Sequence, residues 1–171
     1  MDDHGRRIAW DILDAQEASG PVPLLDSATS AELLARARRI AVVGASADPM
    51  RPSHGVMGFL LDHGYDVVPI NPNVDEVHGR RAYPRLTDAV NATGRFDVVD
   101  VFRRPEHTPD IAHEAVATGA GALWLQLGVV NWEAAQIAHE AGLPVVMDRC
   151  TAIEHRRIRG ASADGETGKH E

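Results

Sequence analysis

The fold class this sequence predicts is α/β: a doubly wound, mostly parallel sheet with helices on both faces. Three observations predict it. Five short apolar runs lack the polar alternation of a half-exposed strand: Ile40–Val43, Val67–Ile70, Val98–Phe102, Leu123–Leu127 and Val145–Met147. Such runs suit strands buried on both faces. Between them lie segments with helical spacing and helix-terminal residues, so strand and helix alternate as βαβ units do. The chain has 171 residues with 44% hydrophobic and 25% charged, ordinary globular usage that supports one sizeable core.

The first segment, residues 1–30, reads as an N-terminal helical extension. Ile8–Leu13 has the spacing of one amphipathic helix, and Gly20-Pro21-Val22-Pro23 breaks it. Thr29-Ser30-Ala31-Glu32 reads as a capping box opening a short helix through Leu33, Leu34 and Ala37. The domain proper then spans residues 31–159. After the first strand, Ser53 is the expected N-cap of a helix with Val56, Phe59 and Leu60 on one face, stopped by Gly64. A short strand is expected near Ala82-Tyr83. Thr108-Pro109 reads as an N-cap followed by proline at N1, starting a helix with Ile111, Ala115 and Val116. Asn131 caps a helix carrying Trp132, Ala135 and Ile137, ended by Gly142 and Pro144. Residues 160–171 are polar and glycine-rich and read as a disordered tail.

Lys and Arg total 17 against 25 Asp and Glu, a formal charge of −8, which argues against a nucleic-acid backbone as partner. The chain has one cysteine, Cys150, so no disulfide forms within it and a thiolate zinc site is not expected. No run of about 18 apolar residues marks a membrane span, and the start does not read as a signal peptide. The expectation is a cytoplasmic, soluble domain. The nine histidines form no metal-ligand pattern, and no nucleophile elbow occurs, so neither a catalytic set nor a metal site is read.

Ligands of open α/β sheets bind outside the carboxyl ends of the strands. Gly44 turns the chain after the first strand, and the loop Gly44–Ser53 leads to a helix N-terminus whose N–H groups and dipole favour phosphate, with Arg51 adding a guanidinium fork. An ordinary strand-to-helix connection is the other reading. The dinucleotide fingerprint is absent: Ser46 and Pro49 stand where glycines are needed, and Asn71-Pro72 follows the second strand in place of an acid. Arg103 and Arg104 follow the third strand, where they either meet phosphate or are solvated. Gln126 ends the fourth run and either faces a ligand or satisfies local backbone. Cys150 follows the last strand and is either a reactive thiol or a small packing residue.

Taken together, several stretches resemble the small stand-alone CoA-binding domain family. They are Val42–Ser46 with Arg51-Pro52-Ser53, Gly64–Pro72, Gly79, Tyr83, Asp97–Glu106, Trp124–Gly128 and Val146–Cys150, and the resemblance runs from Glu32 to Arg157. It implies a Rossmann-like, nucleotide-binding fold akin to the CoA-binding domain of the succinyl-CoA synthetase α subunit. By that kinship Gly44, Ala45 and Ser46 would touch the phosphates of coenzyme A, with Arg51 and Ser53 nearby. Asn71 and Pro72 would stand where the synthetase uses a basic residue, and Val101, Phe102 and Arg103 would lie along adenine and ribose. The synthetase's phosphohistidine domain has no counterpart, so its ligase chemistry does not carry over.

The resulting expectation is a non-catalytic binder of coenzyme A or an acyl-CoA, as a sensor, a homo-oligomer or an accessory to an acyl-CoA enzyme. The alternatives are an enzyme, either a dinucleotide-dependent oxidoreductase with a degenerate loop or a thiol enzyme using Cys150, and an interaction module.

Overall fold

A computed structural model describes residues 20–166, with side chains through Ile158. The helix expected at Ile8–Leu13 lies outside the described residues. The elements are α1 (Ser27–Arg36), β1 (Arg39–Val43), α2 (Pro52–Asp62), β2 (Asp66–Ile70), β3 (Glu76–Val77), β4 (Arg80–Arg81), α3 (Leu86–Thr93), β5 (Val98–Val101), a 3-10 turn (Pro105–His107), α4 (Thr108–Ala117), β6 (Leu123–Leu125), α5 (Trp132–Glu140), β7 (Val145–Val146) and α6 (Thr151–Glu166).

Five strands form one parallel sheet in the order β2-β1-β5-β6-β7. Alternate residues of each strand feed opposite faces, as the period of two requires. Ala41, Val43, Val99, Val101, Leu123 and Leu125 pack against α3, α4 and α5, largely through alanines such as Ala112, Ala115, Ala134 and Ala138. Ile40, Val42, Val67, Val98, Trp124 and Val146 meet Leu34, Met57 and Leu60 of α1 and α2, with Ile158 of α6 alongside. The Rossmann-like α/β fold is therefore as expected. The chain leaves β1 toward β2 on one side and returns to β5 on the other, so the topological switch point lies between β1 and β5.

Several local expectations are corrected. The first helix begins at Ser27, because the Asp26 carboxylate, and not Thr29, takes the N-cap role: Asp26 Oδ1 accepts from Thr29 N at 2.9 Å and from the Thr29 hydroxyl at 2.7 Å. Ser53 is not an N-cap either. Pro52 opens α2 after Arg51, and Ser53 is buried in its first turn. Thr108 lies inside α4, because the 3-10 turn from Pro105 starts the winding earlier and the Thr108 hydroxyl donates back to Pro105 O at 2.7 Å. Near Ala82-Tyr83 there is only a bridge from Tyr83 to Ile70. The regular structure is the hairpin β3–β4, whose His78 and Gly79 have φ of 51° and 73°, as a two-residue primed turn needs. Where composition pointed to disorder from residue 160, α6 continues through Glu166: a helix already nucleated by its packed first turns extends at one hydrogen bond per residue. Asn131 caps α5 as expected, accepting from Ala134 N at 2.8 Å.

Candidate functional site

The crevice at the switch point is built on Gly44. Its φ is +87°, and its N–H donates to Ile70 O at 2.9 Å, turning the chain across the end of β2. A Cβ here would stand 2.7 Å from Phe102 O and 3.1 Å from Arg103 Cδ. Only glycine satisfies both the dihedral and the space. The same contacts show that the stem of Arg103 lies across the Gly44 turn. The loop beyond is ordered by its own side chains: Ser46 Oγ accepts from Asp48 N at 3.1 Å, and Asp48 Oδ1 accepts from Met50 N at 2.9 Å.

Arg51 and Arg104 are exposed and Arg103 is half-buried, and none of the three makes an ion pair or a side-chain hydrogen bond among the described residues. Arg51, on the loop after β1, and Arg103 and Arg104, after β5, thus follow the two switch-point strands without such a partner among the described residues. Pro72 is exposed at the end of β2, and Phe102 is half-buried after β5. These sequence-read residues, with Gly44 and Ser46, follow the carboxyl ends of β1, β2 and β5, whereas Ala45 is wholly buried in the core.

Others on that set stand behind the crevice and not in it. Asn71 Nδ2 donates to Ala45 O at 2.8 Å, and its Oδ1 accepts from Asn73 N at 2.8 Å, so the amide ties two loops together. The Val101 side chain is wholly buried in the core under α3–α5. Ser53 is buried in the first turn of α2. Gln126 is buried, and its Nε2 donates to Asp100 Oδ1 at 2.7 Å, Asp100 Oδ2 at 2.9 Å and Thr151 Oγ at 2.9 Å. The Gln126 amide nitrogen serves not local backbone but two side chains, 25 and 26 residues away.

Asp100 is the residue sequence reasoning passed over. It sits fully buried on β5, next to Val42 and Trp124 in register, and accepts from Gln126 and from Thr151 Oγ at 3.0 Å. Burial pushes its carboxyl up to about 7, although the two hydrogen bonds pull it down. The signal was present: an acid in the middle of Val98-Val99-Asp100-Val101 must find partners.

Cys150 is half-buried at the start of α6, its carbonyl accepting the Glu154 N–H at 2.9 Å. Burial pushes its thiol up, more than the N–H groups of Ile153 and Ala152 pull it down. Arg149, its sequence neighbour, turns away: Nη1 donates to Ser27 Oγ at 2.8 Å and lies 3.3 Å from Glu154, both charges fully buried. Burial raises the Glu154 carboxyl even though Arg149 and Arg157 oppose it. This buried pair fastens α1 to α6. Asp148, with φ of 58°, accepts the Gly128 N–H at 2.7 Å and clamps the loop after β6 to the loop after β7. Among the described residues, no group of His, Cys, Asp and Glu is disposed to hold a metal, and no helix is long and apolar enough to cross a membrane.

Residues 38–156 match the family model described as a CoA binding domain. An uncharacterized protein of Bacillus subtilis (strain 168), YneT, is 44% identical over 124 residues, 72% of this chain and 90% of that one. A hypothetical protein from Pyrococcus horikoshii OT3 is 41% identical with a TM-score of 0.75, over 80% of this chain and 94% of that one. An acetyl-coenzyme A synthetase of Candidatus Korarchaeum cryptofilum, in its apo form, is 25% identical with a TM-score of 0.56; the match covers 64% of this chain and 26% of the synthetase. With the family model spanning most of the chain and the switch-point crevice in place, the protein belongs to the CoA-binding domain family.

Proposed function

We propose that this chain binds coenzyme A or an acyl-CoA in the switch-point crevice and performs no chemistry on it. The observation that carries the reading is Arg103 lying over Gly44 with its guanidinium unpaired, at a switch-point turn where a Cβ has no room. A phosphate beside that turn meets the guanidinium groups of Arg103 and Arg51 and the Ser53 N–H at the start of α2, where Pro52 has no N–H and His54 N donates to Arg51 O. Phe102 and Pro72 border the place for adenine and ribose. Asn71 and Gln126 act from behind, by holding the loops and Asp100.

Three features weigh against an enzyme. The Cys150 thiol is held in its protonated form by burial, the wrong direction for a nucleophile. Asp100 has its oxygens engaged by Gln126 and Thr151, so it braces the crevice floor and does not face a substrate. Ser46 and Pro49 in the first loop also remove the close backbone approach that a nicotinamide dinucleotide requires.

Thermal unfolding with ligand tests the reading. At a hundred times its dissociation constant, coenzyme A raises Tm by on the order of 5–10 °C for a chain of this size. NAD and NADP leave Tm nearly unchanged. A shift with NAD and none with coenzyme A would reverse the assignment.

A further inference from the structure

Four large apolar side chains are exposed among the described residues: Met50 at 88%, Leu127 at 62%, Val130 at 44% and Ile153 at 38%. Scattered single apolar residues on a surface need no explanation. These four are not scattered. Met50 lies between β1 and α2, Leu127 and Val130 between β6 and α5, and Ile153 in the first turn of α6 after β7. Every one is on a connection leaving the carboxyl end of a strand, the edge that holds the crevice.

Three of them sit on a braced frame. Val129 N donates to Gln126 O at 2.8 Å, closing a tight turn in which Gly128 takes φ of 85° and Leu127 stands at the outward corner. Gly128 N is in turn held by Asp148 at 2.7 Å, and Asp148 keeps a left-handed backbone to do so. The loop carrying Leu127 and Val130 is thereby fixed beside the start of α6, where Ile153 sits. An apolar surface held in place in water gains by being covered, at little ordering cost.

The cations lie at the other end. Arg51 follows β1, and Arg103 and Arg104 follow β5. From β1 to β7 is three strand steps, about 14 Å at the usual spacing. Beyond the cations of β1 and β5, beside which Met50 also stands, the edge carries the exposed hydrocarbon of Leu127, Val130 and Ile153 after β6 and β7. That is the polarity of an acyl thioester of coenzyme A, with phosphates at one end and a carbon chain at the other. Free coenzyme A would end in a thiol and leave Leu127, Val130 and Ile153 uncovered.

Resting on the coenzyme A reading, we propose that the preferred ligand is an acyl-CoA with an apolar acyl chain of several carbons, the chain covering Leu127, Val130 and Ile153.

Calorimetric titration with coenzyme A and its acetyl, butyryl, hexanoyl and octanoyl thioesters tests this. Affinity rises by about twofold per added methylene, half the effect of full burial since the subsite is open to water on one side. Leu127→Ser, at an exposed position, reduces that slope. Arg51→Ala weakens every member by a common factor and keeps the slope. Equal affinities across the series would overturn the acyl subsite while leaving the coenzyme A reading standing. No binding by any member would overturn the coenzyme A reading itself, and the proposal with it. A flat series together with self-association that Leu127→Ser abolishes would assign the surface to a second copy of the chain, against the proposal.

Discussion

The two ends of the central strands β1 and β5 treat arginines differently. At the amino end of the strands, Arg39 has its Nε 2.9 Å from Asp66, donates through its other nitrogens to Arg95 O and Thr93 Oγ at 2.9 Å each, and lies over the Phe96 ring at 4.6 Å. Arg80 meets the other oxygen of Asp66 at 3.1 Å, and Asp97 Oδ2 accepts the N–H groups of Arg38 and Arg39 at 2.9 Å. At the carboxyl end, Arg51, Arg103 and Arg104 have no such partners among the described residues. Charge at the first edge holds the fold together. At the second edge Arg149 and Asp148, after β7, also serve the fold, whereas the three cations after β1 and β5 stay unpaired among the described residues of an acidic protein. The lesson is that a functional edge is marked less by which residues it has than by which of them the fold leaves unpaired.

The largest effect that would break this contrast concerns glycine. Gly44→Ala forces a Cβ into Phe102 O and a left-handed backbone at once, so it destabilises by on the order of 4 kcal/mol and abolishes coenzyme A binding. Gly64→Ala, near the amino edge with φ of +89° and nothing within 4 Å of its Cβ, costs only the backbone strain, about 1 kcal/mol, and leaves binding intact. Urea unfolding and calorimetry on both variants check this. Equal losses in the two would remove the special status of the crevice.

Asp100 gives the next effect, through pH. Its carboxyl is raised from 3.8 to about 7, so the folded state holds a proton the unfolded chain releases. Its stabilising contribution is complete below the ordinary carboxylate range and is lost as pH rises through about 7, a change of a few kcal/mol. Asp66 and Asp97 act the other way: Asp66, pulled down chiefly by its bond to Arg39, and Asp97, held down by the backbone N–H groups of Arg39 and Arg38 against its burial, add stability above that range and lose it in acid. Asp100→Asn should flatten the fall between pH 4 and 7 while leaving the acid limb in place. Melting curves for both proteins across pH 3–9 read the difference directly, and identical profiles would mean that Asp100 titrates normally.

A paired exchange sharpens the comparison further. Arg39→Ala loses about 1–2 kcal/mol of stability and keeps ligand affinity. Arg103→Ala keeps stability and loses about 1–3 kcal/mol of coenzyme A binding. If both variants lost affinity alike, the cations at the carboxyl edge would have no distinct role.

The smallest effect is kinetic. With its thiol pushed up by burial, Cys150 should alkylate slowly at neutral pH in the folded protein and faster only above the ordinary thiol range, with saturating coenzyme A slowing it further. A fast, ligand-insensitive reaction at pH 7 would show an open thiolate unconnected with the crevice.

What the sequence determined by itself are the features written within a few residues of one another. The five apolar runs are strands, the switch from strand to helix recurs as read, Asn131 caps its helix, and Gly44 makes the turn that opens the crevice. These follow from steric rules and periodicities acting over one or two turns of chain. Even here neighbours competed: Asp26 displaced Thr29 as N-cap because its carboxylate, three residues earlier, accepts the N–H and hydroxyl of Thr29 itself. Only the tertiary structure decided which polar groups remain available. Asn71 and Ala45 are 26 residues apart, Gln126 and Asp100 likewise, and Ser27 and Arg149 are 122 apart. A side-chain amide or guanidinium reads the same in a sequence whether it binds a ligand or another loop. Its partner is chosen by which chain segments the sheet order brings side by side, and that order is set by the long-range packing of the whole core.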